Sequence, residues 1–170
     1  MKIYLGLLAT LALPALSQNL PRLELIRKIP HSGYSEGLDF HDGYLWNPLT
    51  RKTQSVQFNG SMQTESQSLI LKIDPADGTV LAKFPGPTKE SESIKWIKGV
   101  PIHVSFENDG IYTGSFSAAG DLLFKRVGTT PEAHAWGLEY DGKDLIMTGN
   151  FSPNLYFVDP KTFKKRRVVS

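Results

Sequence analysis

The chain has 170 residues, no cysteine, and 19 Lys plus Arg against 17 Asp plus Glu, a formal charge of +2. That near balance excludes the electrostatic footprint of a nucleic-acid binder. The missing thiols exclude disulfides, thiolate metal sites and cysteine nucleophiles, and the length suffices for one domain with its own core.

The chain opens with Lys2, an apolar run from Ile3 to Ala15, and Ala15-Leu16-Ser17 with small residues at the two positions a signal peptidase reads. This pattern predicts a secretory signal over residues 1–17, cleaved before Gln18, and a mature domain over 18–170. The apolar run is too short for a spanning helix. The expected destination is therefore secreted or periplasmic, with no transmembrane anchor.

Beyond Gln18 the expectation is all-β. Residues 36–45 read Glu-Gly-Leu-Asp-Phe-His-Asp-Gly-Tyr-Leu, an inner strand, a tight turn and a second strand. Leu49 to Gln67 is polar and reads as a long loop, although Asn59-Gly60 has the composition of a hairpin turn. Leu69, Leu71 and Ile73 alternate, as do Val80, Ala82 and Phe84, which marks two strands. Pro87 to Lys98 has no helical stripe, and a less regular unit is expected around residues 91–128. Residues 136–145 repeat the Gly-Leu-acidic-aromatic start, and Leu155 to Val158 alternate again. The basic run from Lys161 to Arg167 reads as a solvated edge.

Asp-Gly pairs at Asp42, Asp77, Asp109 and Asp141 are spaced by 35, 32 and 32 residues, which suggests a structural period. Four short antiparallel strands per unit make a β-propeller blade. About three blades fit, fewer than a closed ring needs, so the expected domain is an incomplete β-propeller whose free edges a homo-oligomer would cover. An antiparallel sandwich built from the same hairpins is the alternative.

No phosphate loop, paired-histidine helix or nucleophile elbow is present. The histidines (His31, His41, His103, His134) lack ligand spacing, and no metal or other cofactor is expected. Glu36, Asp39 and Glu132 are the carboxylates available to a calcium site, but no spacing joins them. His31 to Gly37 and Glu132 to Gly137 each bring an acid, a histidine and an aromatic to the entrance of an inner strand, where residues of different blades converge. Trp46, Trp96 and Trp136 are candidates for a ligand mouth.

Several of these segments together resemble the plant and bacterial type of glutaminyl-peptide cyclotransferase. Trp136-Gly137-Leu138, Leu145-Ile146-Met147-Thr148 and Phe157-Val158-Asp159-Pro160-Lys161-Thr162-Phe163 follow that family's Trp-Gly-Leu, Leu-Ile-Met-Ser and Phe-Leu-Asp-Pro-x-Thr-Phe runs. His31 with Tyr34-Ser35-Glu36-Gly37-Leu38 is similar to its His-x-x-x-Phe-Thr-Gln-Gly-Leu element, and Glu90-Ser91-Glu92-Ser93 stands where it has Phe-Gly-Glu-Gly. The resemblance implies a five-bladed propeller, incomplete here, and a metal-free enzyme that closes N-terminal glutamine to pyroglutamate with loss of ammonia.

It also implies where the site residues stand. Asn47 replaces the glutamate of the family's Leu-Tyr-Glu-Ser-Thr-Gly run, and an amide is no proton donor of carboxylic-acid strength. Glu36 replaces a glutamine and is the nearby candidate acid. Tyr34, Trp46, Glu92 and Trp136 are the candidate substrate-binding residues. The expected partner is an N-terminal glutaminyl peptide or another small ligand, turned over poorly or not at all. A non-catalytic peptide- or saccharide-binding repeat domain of the cell envelope is the alternative. A metal-dependent sugar-lactone hydrolase is a third reading, for which no carboxylate set is visible.

Overall fold

The computed structural model describes residues 24, 25, 28, 33–58 and 61–170. Residues 1–23, with the signal and its junction at Gln18, lie outside the described residues, as do His31 and the Asn59-Gly60 pair. Among the described residues no helix is long and apolar enough to cross a membrane.

The described residues form three four-stranded antiparallel sheets, each a simple meander. The first holds β1 (Asp39–His41), β2 (Tyr44–Phe58), β3 (Ser61–Ile73) and β4 (Val80–Pro85). The second holds β5 (Ser93–Ile97), β6 (Val100–Val104), β7 (Gly110–Phe116) and β8 (Leu122–Thr129). The third holds β9 (Ala135–Tyr140), β10 (Leu145–Gly149), β11 (Leu155–Val158) and β12 (Lys165–Val169). Contacts between sheets run from β1 to β5 to β9, so the three blades stack through their first strands in an open, propeller-like array.

Two sequence expectations change. The polar stretch after Leu49 is a ribbon rather than a loop: β2 and β3 pair from Leu45 opposite Ile73 out to Phe58 opposite Ser61. Strand pairing needs only backbone hydrogen bonds, and a Gln- and Ser-rich ribbon lacks the apolar alternation that would announce it. The Asp-Gly pairs, moreover, do not mark a period. Asp42-Gly43 joins the first and second strands of its sheet, Asp77-Gly78 the third and fourth, and Asp109-Gly110 the second and third. The true counterpart of Asp42-Gly43 in the second sheet is Lys98-Gly99. Both pairs have positive φ at each residue (49° and 82°; 50° and 79°), as a two-residue hairpin turn requires.

Apolar side chains fill the gaps between blades. Trp46 and Ile70 meet Ile94 and Leu122 between the first and second sheets. Ile102, Val104 and Ile111 meet Leu145, Met147 and Val158 between the second and third. Each fully buried aliphatic side chain contributes about 1.5–3 kcal/mol. The basic run ends as β12, an exposed outer strand in which Arg166 pairs with Asp144 and Asp159.

A chain of charges ties the first strands together. Lys95 Nζ of β5 lies 2.9 Å from Asp39 of β1 and 2.6 Å from Glu139 of β9. The other Asp39 oxygen accepts the Trp96 N–H at 2.7 Å. Burial pulls the Lys95 pKa down, but hydrogen bonds and attraction from the two carboxylates outweigh it and raise the net value. Removing the ammonium would strand the buried Asp39 charge. Lys95→Ala is expected to lower unfolding stability by about 2–4 kcal/mol, while Lys95→Arg recovers most of the loss. Urea denaturation checks this, and an unchanged midpoint for Lys95→Ala would refute it.

Candidate functional site

The entrances of the three first strands lie at one end of the stack. A cavity of about 390 Å³ opens there, lined by Tyr34, Glu36, Thr50, Glu90, Glu92, Phe106 and Trp136. Tyr34 sits on an isolated bridge to β2: its N–H donates to the Thr50 carbonyl at 2.9 Å and its own carbonyl accepts from the Thr50 N–H at 2.8 Å. Thr50 Oγ1 accepts from the Ser91 N–H at 2.9 Å, which fixes the entrance to β5. The Ser93 hydroxyl donates to the Trp136 carbonyl at 2.6 Å and fastens the entrance of β9 alongside.

Gly37 brings the first two entrances together. A Cβ on it would lie 2.7 Å from the Glu92 carbonyl oxygen and 2.8 Å from the Ser93 Cα, so only glycine fits without moving backbone. The close approach sets Glu36 against Glu92. Glu92 is only 7% exposed, and its Oε2 has no hydrogen-bond partner among the described residues. Burial is the largest cause of a Glu92 pKa pushed up to about 9, followed by the hydrogen bond to Glu36 and the negative charges of Glu36 and Glu90. The shift favours the neutral carboxylic acid of Glu92 over its carboxylate. Tyr34, hydrogen-bonded to Glu36, has its own pKa raised by that bond and by the Glu36 charge. Exposed Glu36 lies within hydrogen-bonding reach of both neighbours, so one exposed and one buried carboxyl group stand side by side.

The cavity unites four of the six residues singled out from the sequence: Tyr34, Glu36, Glu92 and Trp136. Asn47 stands beneath them, buried. With its amide oriented to satisfy every contact, it bonds the Ser35 hydroxyl and donates to the carbonyls of Pro48 at 2.8 Å and Gly37 at 3.2 Å. It holds the segment that carries Glu36. Trp46 is at the opposite end, 4% exposed, packed on Trp96 and Phe84. Thr50, Glu90 and Phe106 line the cavity without having been singled out. Only the register of β2 and the loops beside β5 place them there.

The candidate calcium carboxylates do not meet. Asp39 holds Lys95, and Glu132 accepts from the Phe151 N–H at 2.9 Å and the Ser152 hydroxyl at 2.6 Å, bonds that lower its pKa. Among the described residues no group of three His, Asp or Glu could hold a metal ion. His134 is also taken, with Nδ1 3.1 Å from the Phe106 carbonyl and its ring stacked on Phe106. His103 is wholly buried against the Ser91 hydroxyl at 2.8 Å, and burial pushes its pKa down to about 3. A larger cavity of about 470 Å³ lies at the far end between the second and third sheets. Its rim carries Lys98, Lys143 and Lys161, with no paired carboxyl groups for proton transfer.

Fold and site define an open β-propeller-type protein with a buried carboxyl group beside an exposed one at the mouth of its stacked blades. Among solved structures, the chain is similar to the glutaminyl cyclase of Myxococcus xanthus, at 15% identity and a TM-score of 0.50 over 85% of this chain and 75% of that one. It is also similar to a protein of unknown function from Bacteroides caccae, at 12% identity and a TM-score of 0.48 over 82% and 62% of the two chains. No family profile and no curated protein matches the sequence. The likeness is a distant structural homology in fold.

Because Glu92 keeps a proton when folded that it gives up when unfolded, its contribution to stability falls as pH rises from the unfolded value near 4.5 through about 9. Glu92→Gln removes that dependence. The variant is expected to be more stable than wild type at pH 8.5, by up to about 5 kcal/mol, and equal to it at pH 4. His103 acts oppositely in both proteins, since its proton binds only on unfolding between about pH 6.5 and 3. Thermal melts across pH 4–9 check this, and parallel curves for the two proteins would refute it.

Proposed function

We propose that this chain is an exported homologue of the plant and bacterial type of glutaminyl-peptide cyclotransferase, slow in turnover, whose acid is Glu92 rather than Glu36. The observation that carries the reading is the buried Glu92, its carboxyl pKa pushed up by burial and by the neighbouring Glu36, in a cavity walled by Tyr34 and Trp136. The fold likeness and the sequence resemblance supply the substrate, an N-terminal glutaminyl peptide.

The chemistry needs one proton taken and one given. The substrate's α-amine nitrogen attacks the Cδ carbonyl of its own side chain, forming the ring C–N bond, and the bond from Cδ to the amide nitrogen breaks. Glu36, as carboxylate, takes the proton released by the attacking amine. Glu92, as acid, protonates the departing nitrogen, which leaves as ammonia. The hydrogen bond between the two carboxyl groups returns the proton to Glu92, and the sum is glutamine to pyroglutamate plus ammonia. A positioned general acid contributes about 10²–10⁴-fold, and a value near 9 suits delivery to an amine leaving group. Tyr34 and Trp136 are 66% and 44% exposed, which leaves the site wet and is the basis for slow turnover. The same openness favours, as a second reading, a module that binds the peptide without converting it.

Ammonia release from a glutaminyl peptide, against the uncatalysed rate, tests this. Wild type is expected to release ammonia slowly, with a rate that falls above about pH 9. Glu92→Gln should lose at least tenfold, and Glu36→Gln should lose rate as well, having no base for the amine proton, and should move the alkaline limb of what remains to lower pH by removing the neighbouring charge. Asn47→Glu should gain nothing, since it replaces the amide that holds Gly37. Peptide binding with no release above background would overturn catalysis in favour of the binding module.

A further inference from the structure

The far end of the first interblade gap holds a cleft of about 390 Å³ that the carboxyl site does not use. Its walls are aromatic. His41 stacks on Trp96 at 4.5 Å and an interplanar angle of 5°, and Trp96 continues to Phe116 at 6.3 Å. Phe116 in turn meets the edge of Phe84 at 5.6 Å. A ring cluster serving only as core would be closed over. Here Trp46 alone is fully covered, while Trp96 and Phe84 are half-buried and Phe116 is 49% exposed.

The polar groups at the rim narrow the ligand class. Lys72 Nζ lies 3.7 Å above the Tyr44 ring and 5.7 Å from Trp46, so the cation–π position is already filled from within the protein. That disfavours a cationic guest. Exposed Asp42, 3.3 Å from His41 Nε2, disfavours an anionic one. A neutral ligand with a flat apolar face and hydroxyl groups around its edge satisfies both the rings and the Lys72, His41 and Asp42 rim. A saccharide whose ring substituents are all equatorial has that shape.

We propose that this cleft is a saccharide-binding site, selective for β-linked, gluco-configured sugars stacked on the exposed Phe116 ring, with the His41–Trp96 stack as the adjoining wall. It lies at the opposite end of β5 from Glu92, and it stands whether or not the cyclotransferase reading does. The tryptophans make the two ends separately readable, because Trp46 and Trp96 are at the cleft and Trp136 is at the carboxyl site.

The test is tryptophan fluorescence of the full chain carrying Trp136→Phe, titrated with cellobiose. A saturable change is expected, with a Kd on the order of 1 mM, and a weaker response to α-linked maltose. Phe116→Ala in the same background should weaken binding at least tenfold, and its exposed position spares the core; circular dichroism confirms the fold. Lys72→Met should weaken binding severalfold. No saturable response to cellobiose, a response unchanged by Phe116→Ala, or equal affinity for tetramethylammonium would each overturn the proposal.

Discussion

Burying a carboxyl group without a cation is costly, and the candidate site is organised around keeping that group neutral. Among the described residues no ammonium or guanidinium pairs with Glu92. Burial, reinforced by the hydrogen bond to Glu36 and by that residue's charge, raises its pKa and favours the neutral form instead. The arrangement survives only because backbone fixes both residues. Gly37 lies against the Glu92 carbonyl, Asn47 clamps the Ser35–Gly37 segment from below, and Thr50 anchors Ser91.

That pair sits on a stack whose first strands are locked by charges of the opposite design. Lys95 is shared between Asp39 and Glu139, so the axis of the array has its cation midway along β5, while among the described residues none pairs with Glu92 at the mouth. The same short strand thus carries a satisfied ion chain and follows directly on an unsatisfied acid. Stability is spent at the mouth and recovered between the blades, where Ile70, Ile94, Ile111 and Leu145 are wholly buried. A protein with only a packing role would gain by replacing Glu92 with a neutral residue, which is why this acid points to function.

Much of the fold was legible from local pattern. Leu69, Leu71 and Ile73 share one face as their alternation requires, and three sheets appear where about three blades were expected. The β2–β3 ribbon was not legible, because its polar composition hides a period of two. The equal Asp-Gly spacing misled, since Lys98-Gly99 makes the turn that a period of Asp-Gly pairs would have assigned elsewhere. The two Gly-Leu starts look alike yet do different things. Gly37 packs on the next blade, whereas the Gly137 N–H donates to Thr148 within its own sheet at 2.9 Å. For the site, resemblance pointed to Glu36 and Glu92 separately. Their meeting depends on how one blade sits on the next, which no short-range pattern encodes. Trp46 shows the same limit: an aromatic on a second strand can face either end of the stack, and only interblade packing decides.

The central claim is that Glu92 is a neutral acid, kept so by burial and by Glu36. Carbon-13 NMR of the full chain labelled at glutamate side-chain carboxyl carbons, with Glu92→Gln to assign the resonance, measures this directly. The account predicts a Glu92 signal at the position of a protonated carboxyl at pH 7, moving to that of a carboxylate with a midpoint near 9. A Glu92 signal already at the carboxylate position at pH 7, titrating like an ordinary glutamate, would contradict it.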